Sequence, residues 1–306
     1  MTMKNQGVVH QSKVGPEDEG LTLLAHLRLR FPRHAGDWEA RIAGGQVCVD
    51  GERAHSLIRV RPGQWVAWER PPWTEPEAPL AMAVLYQDAH LLAVAKPSGL
   101  PTLPGGGEFQ EHTLLALVRR REPEASPMHR LGRGTSGLVL FARTPEGRSP
   151  LQAAFQDPRT RKVYRALCQG QPTLDAFTVD APIGPVPYAP LGTLHAATPS
   201  GRAALSRVAV LERREASSLL EVEIATGRPH QIRIHLAFAG HPLVGDPLYG
   251  IGGGPLPETT AVPGDLGYHL HAHLLELDHP RTGARLHLQC QPPPVLRTFE
   301  KTTKEF

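Results

Sequence analysis

The chain has no long hydrophobic run, few cysteines and very little lysine. No stretch approaches the ~18 consecutive apolar residues that span a bilayer, and the polar N-terminus has no apolar signal core. A cytoplasmic protein without membrane attachment is expected. The three cysteines, Cys48, Cys168 and Cys290, are too scattered for a metal site. Their odd number suits a reducing compartment rather than a disulfide framework, and they read as small core hydrophobes. Only six of the 33 basic residues are lysine, and Lys4, Lys13, Lys301 and Lys304 lie near the chain ends. Lys96 and Lys162 are therefore exceptions within an arginine-rich body. A net charge of +3 is too small to demand a nucleic-acid partner by itself.

What is present is ordinary globular composition, 40% apolar and 21% charged over 306 residues, enough for one large core and a small appended module. Residues 1–17 are polar and aperiodic, which predicts a flexible arm. Leu21, Leu24, Leu27 and Phe31 recur at helical spacing, with Arg28, Arg30 and Arg33 on the remaining surface. A second short helix is predicted over Trp38–Ile42. The run from Gly44 to Gly51 then reads as turn, strand and hairpin turn, and Arg59–Gln64 leads into another strand. Residues 18–69 so arranged resemble a small S4-type RNA-binding module, whose usually basic second helix is represented by Arg41 alone. Residues 70–81 hold four prolines and predict an extended spacer.

Beyond the spacer, strands are predicted at Ala83–Tyr86, Leu91–Ala95, Gly137–Ala142, Val163–Cys168, Ser217–Ala225 and Ala284–Leu288. Helices are predicted near Leu114–Arg121, Arg148–Phe155 and His230–Ala239. Strands outnumber helices without a βαβ rhythm, so residues 82–297 are expected to form an α+β domain on a mixed, largely antiparallel sheet, with 298–306 as a tail. The glycine runs 105–107 and 252–254 lack a following Lys-Ser/Thr and read as loops rather than phosphate cradles. His269, His271 and His273 alternate along a predicted strand, but no cysteine or carboxylate at ligand spacing accompanies them, so no metal is expected.

Five collinear segments carry the functional signal. They are Asp88–Leu100 (DAHLLAVAKPSGL), His129–Arg143 (HRLGRGTSGLVLFAR), Lys162–Leu167 (KVYRAL), Thr226–Gly250 (TGRPHQIRIHLAFAGHPLVGDPLYG) and His269–Pro280 (HLHAHLLELDHP). In this order they resemble the motifs of the RluA-type pseudouridine synthases, including HRLDxxTSGLLLFA(K/R), KxYxAL and TGRxHQIRxHL. The resemblance implies the fold of that family and the isomerisation of uridine to pseudouridine in ribosomal or transfer RNA. That reaction breaks the bond from ribose C1′ to uracil N1 and rejoins the base through C5. It exchanges no electrons or phosphates, so no cofactor is expected.

The resemblance also implies site roles. The family's catalytic aspartate, nucleophile or base at the sugar–base junction, falls where this chain has Gly132. Arg233 takes the place of the cation paired with that acid, and Tyr164 that of the aromatic residue stacked on the uracil. RNA contacts are implied for Lys96, His129, Arg130, Arg133, Thr135, Ser136, Lys162, Arg228, His230 and Gln231. Glycine supplies no nucleophile, and three outcomes stay open. Another acid enters the pocket, with Asp88, Glu108, Glu111 and Asp246 as candidates; the site runs a different chemistry; or the scaffold is a catalytically silent RNA-binding protein. Without an acid, Arg233 would be an unpartnered cation in a partly buried site.

Overall fold

The computed structural model describes residues 4–31, 37–105 and 108–299. Arg33, Gly106, Gly107 and most of the tail lie outside the described residues. The chain divides into two units, Met1–Glu75 and Pro76–Phe306.

The first unit is a four-stranded sheet with two helices. Its elements are β1 (Val8–Lys13), α1 (Leu23–Arg30), α2 (Trp38–Ala43), β2 (Val47–Val49), β3 (Glu52–Arg53) and β4 (Trp65–Arg70), in sheet order β1-β4-β2-β3. The N-terminal segment expected as a flexible arm is thus corrected: Val8–Lys13 pairs antiparallel with all of β4. Polarity misled because β1 is an edge strand with little buried side-chain surface, held by backbone bonds. Asp50 and Gly51 both have positive φ, the geometry of a two-residue hairpin turn between β2 and β3. Leu23, Leu27, Trp38, Val47 and Val60 are fully buried in this unit's own core. Arg41 lies over the rings of Trp38 and Trp68, 4.9 and 4.5 Å from their centroids, so the one basic residue of α2 packs against the core.

The second unit is built on a ten-stranded sheet. Its elements are β5 (Ala83–Gln87), β6 (Leu91–Lys96), α3 (Leu114–Arg119), β7 (Ser126–Pro127), β8 (Ser136–Ala142), α4 (Pro145–Gln156) and β9 (Arg161–Gln169). There follow β10 (Ala176–Val179), β11 (Ile183–Tyr188), β12 (Gly192–Ala197), β13 (Ser206–Arg213), β14 (Ser217–Ile224), α5 (Gln231–Phe238), β15 (Leu270–Asp278) and β16 (Arg285–Gln289). The main path runs β10-β13-β14-β9-β15-β8-β6-β5, with β16 on β15 and β7 on β8. Among the described residues all pairings are antiparallel except β15 with β8, so the domain is α+β on a mixed, largely antiparallel sheet.

β6 and β8 read as unbroken apolar runs because both faces are covered. Leu91, Ala93, Leu138 and Leu140 face one core with Leu151 of α4, while Leu92, Val94, Val139 and Phe141 face another with Leu114, Leu117 and Val118 of α3. Thr113 and Thr144 cap these helices, each hydroxyl accepting a backbone N–H at 3.2 Å. A third core sets Ile232 and Leu236 of α5 against Ala166, Leu220 and Val222. The hairpin β11–β12 had no sequence signal, since Pro185 and Pro187 argue against a strand; it stands as an isolated two-stranded sheet, where prolines are tolerated. Among the described residues no helix is long and apolar enough to cross a membrane. All three cysteines are free and buried.

Candidate active site

Two loops are stapled together at the end of β6 and the start of β8. The turn at Gly132 closes with a bond from Thr135 N–H to Gly132 O at 3.0 Å. Leu131 is held by Thr102, whose hydroxyl donates to Leu131 O (2.9 Å) and accepts from Leu131 N (3.1 Å). Gly99 N–H donates to Arg133 O at 2.8 Å, and Arg133 Nε returns a bond to Gly99 O at 3.1 Å. Ser98 Oγ donates to Gly134 O at 2.8 Å. Lys96 lies at the centre of this knot, 2% exposed, its Nζ donating to Pro97 O, Leu100 O and Arg133 O at 2.9, 2.7 and 3.3 Å. Burial pulls its pKa down to about 7. The RNA-contact role implied for Lys96 is thus corrected: a buried ammonium spent on three carbonyls has nothing left for a phosphate.

The turn stands against β15 because of one close approach. Ala272 pairs with Gly137, and a Cβ on Gly137 would lie 2.3 Å from Ala272 O; the glycine's φ of +114 is equally closed to other residues. Beside this join Ser136 Oγ lies 2.8 Å from His271 Nδ1, and His271 Nε2 donates to Cys290 O at 3.1 Å. His273 Nδ1 donates to the same carbonyl at 2.8 Å, so the buried pair of histidines is engaged by backbone. Burial lowers the His271 pKa to about 4.

Gly132 is exposed, and the space its side chain would enter is taken. An ideal Cβ there would lie 2.9 Å from the hydroxyl oxygen of Tyr268, the residue two before β15, and one on Gly134 would lie 2.9 Å from its ring. Tyr268 is 4% exposed, and its Oη lies 3.2 Å from Thr135 Oγ1. On its face sits Arg233 of α5, the guanidinium carbon 4.2 Å from the ring centroid. Arg233 does have an acid partner. Its Nε and Nη2 donate to the two carboxylate oxygens of Asp246, each at 2.7 Å, and Nη1 donates to Pro263 O at 3.2 Å. Asp246 Oδ1 also accepts from Leu248 N and Tyr249 N at 2.9 and 3.1 Å. Burial works to lower the Arg233 pKa, but the bonds to Asp246 outweigh it, so the net direction is up and the cation is secure.

Of the four candidate acids, Asp246 therefore reaches Arg233. Asp88 lies beyond the opposite end of β6 from Lys96 and serves as a local clasp. It accepts from His90 N, Leu91 N, the Tyr86 hydroxyl and His279 Nε2 at 2.7–2.9 Å. Burial works to raise its pKa, but these bonds hold it at about 2, below the ordinary 3.8. The contribution of Asp88 to stability should be complete above pH ~4 and vanish as pH falls through 2; it amounts to about 2 kcal/mol. Urea unfolding of the parent and Asp88→Asn between pH 5 and 2 should show the gap closing, and a constant gap would refute this role. Glu108 is exposed and Glu111 half-buried in the loop before α3.

The other implied residues sort by exposure. Gln231 is 3% exposed and built in: Nε2 donates to Leu205 O and Ser206 Oγ at 2.9 and 3.0 Å, and Oε1 accepts from Thr226 Oγ1 and Arg228 N at 2.7 and 3.1 Å. Its implied RNA contact is corrected on that ground, and the buried Thr135 hydroxyl likewise faces Tyr268. His129 Nε2 accepts from Leu140 N at 3.1 Å, and its ring stacks on Phe155 at 4.7 Å. Burial, then the charge of Lys162, lowers its pKa to about 3. His230, at φ 55, sits 2.7 Å from the Tyr249 hydroxyl, and burial, then Arg233, lowers its pKa to about 3. Both imidazoles are neutral at physiological pH, so neither offers a phosphate a charge. The cations with outward reach are Arg130, which is exposed, and the half-buried Arg133, Lys162 and Arg228. Lys162 Nζ lies 4.4 Å from the Phe155 ring centroid, in a recess lined by His129, Leu138, Phe155, Tyr164 and Ala272. Tyr164 packs against both the core holding Leu131 and the core holding Tyr268, and burial raises its pKa to about 12.

A family profile described as RNA pseudouridylate synthase matches residues 90–238. The chain is 44% identical, over 87% of its length and 92% of the relative's, to an uncharacterised RNA pseudouridine synthase of Synechocystis. It is 33% identical, over 69% of its length and 98% of the relative's, to the dual-specificity RNA pseudouridine synthase RluA of Yersinia pestis. The chain belongs to the RluA-type RNA pseudouridine synthases. The synthase also shares its fold with human RNA pseudouridylate synthase domain containing 1, at TM-score 0.58 and 22% identity over 75% of this chain and 96% of that one. The expectation of an isomerase holds, and the silent RNA binder is not favoured. Tyr268 is what sequence reasoning missed in this synthase. It lies just outside the last motif, and no pattern links it to Gly132, more than 130 residues earlier.

Proposed function

We propose that this synthase isomerises uridine in structured ribosomal or transfer RNA of the cytoplasm, at the place where the Gly132 turn, Tyr164 and Arg233 converge. The carrying observation is the layered contact of Gly132, Tyr268, Arg233 and Asp246, which keeps a paired cation against the turn that lacks its acid. Tyr164 stacks on the flipped uracil, and Arg130, Arg133, Lys162 and Arg228 hold the flanking phosphates. Ser136 contacts the ribose. The fold of residues 18–69, with a sheet flanked by two helices, suits an S4-like module that adds RNA affinity. The reaction needs no cofactor, because one proton moves and no electron does.

The test is a pseudouridine map of ribosomal and transfer RNA from a strain lacking the gene, beside its parent. One uridine should lose its modification and regain it with a plasmid-borne copy. Matching maps, with no second enzyme at the same site, would overturn the reading.

A further inference from the structure

We infer that the Tyr268 hydroxyl does the work of the missing aspartate, acting as the nucleophile at ribose C1′. The inference rests on the isomerase reading above. An aspartate at 132 would hold its carboxylate oxygens about 2.4 Å from Cβ by ordinary bond lengths. The Tyr268 Oη lies 2.9 Å from that same Cβ position, so an oxygen stands beside the place where an acid's side chain would start. The tyrosine and an aspartate at 132 compete for one space.

Arg233 sits 4.2 Å from the ring centroid and is fixed there by Asp246, so the guanidinium holds the ring in place. Thr135 Oγ1, at 3.2 Å, orients the hydroxyl. The ring is locked on its other side by the turn, since Gly134 allows a contact that any Cβ would block at 2.9 Å. The position itself is set by backbone. Gly245 and Gly267 cross so closely that a Cβ on either would lie 2.4 or 2.5 Å from the other's carbonyl oxygen, which brings Asp246 beside Tyr268. Tyrosine is a competent nucleophile at an anomeric carbon.

The steps balance. Tyr268 Oη bonds to C1′ as the C1′–N1 bond breaks, and that electron pair leaves with the uracil. The phenolic proton passes to the departing base, which becomes neutral uracil. After the base turns, C5 bonds to C1′ and Tyr268 departs as phenolate. The phenolate then takes the proton from C5. The sum is one hydrogen moved from C5 to N1, with no oxidant, metal or co-reactant.

The test compares Tyr268→Phe, Thr135→Val and the pair Tyr268→Phe with Gly132→Asp, on RNA carrying the mapped uridine. Tyr268→Phe keeps the ring beneath Arg233. It should lower single-turnover isomerisation at least 1000-fold, while RNA affinity and melting temperature stay within the parent's range. Thr135→Val breaks the same hydrogen bond from the other side and should cost at least tenfold less. Adding Gly132→Asp to Tyr268→Phe opens room for a carboxylate and should restore at least tenfold over Tyr268→Phe alone. Tyr268→Phe within threefold of the parent would overturn the inference, as would equal losses in Tyr268→Phe and Thr135→Val or no gain in the double variant. An inactive parent would instead sink the isomerase reading itself.

Discussion

Replacing Arg233 by alanine should destabilise the second unit by about 3–5 kcal/mol, because it strands the Asp246 carboxylate in a buried site. Both side chains are almost wholly buried, 3% and 1% exposed, so solvent cannot screen the loss. Backbone N–H groups of Leu248 and Tyr249 still donate to Asp246, but neither carries the charge that balanced it. Adding Asp246→Asn to Arg233→Ala should recover part of the loss, since no buried charge then remains. A double-mutant cycle by urea unfolding measures this coupling. A cost under about 1 kcal/mol with no coupling would show that the pair is not the anchor described here.

Gly137→Ala should be the most damaging single-methyl change in the second unit, at more than ~4 kcal/mol. The added Cβ meets the backbone of Ala272 at 2.3–2.8 Å, and that backbone is fixed between β8 and β9. Neither strand can retreat without breaking the parallel pairing of β15 with β8. Gly283 offers the control: its φ is also positive, at +71, but nothing lies within 4 Å of its Cβ position. Gly283→Ala should cost only about 1–2 kcal/mol, the conformational penalty alone. Thermal unfolding of the two variants separates close approach from backbone conformation, and equal losses would refute the steric account.

Strand and helix positions in the second unit were legible where both faces of a strand are buried, as in β6 and β8, because continuous apolar runs leave little choice. Edge and hairpin strands were not. β1 carries polar side chains and is held by its backbone, while β11 contains prolines that local rules place in loops. The site divides the same way. Arg233 and the Gly132 turn stand out through their motifs, yet nothing local says that Asp246 reaches Arg233 or that Tyr268 fills the space above Gly132. Both depend on chain crossings such as that of Gly245 and Gly267. Residue type also misleads when burial reverses a role: Lys96 and Gln231 look like RNA contacts in sequence and prove to be framework.

The knot around Lys96 bears on a puzzle of composition. Lysine is only six of the 33 basic residues in this chain, yet one of them stands at 96. Three carbonyl oxygens converge there from Pro97, Leu100 and Arg133, a spacing that suits the small tetrahedral head of an ammonium group. A planar guanidinium is wider and directs its donors outward in a fork, so it cannot gather three acceptors about one point. An arginine at 96 would lose this three-way contact, so an exchange that costs little on an exposed surface is costly at this position.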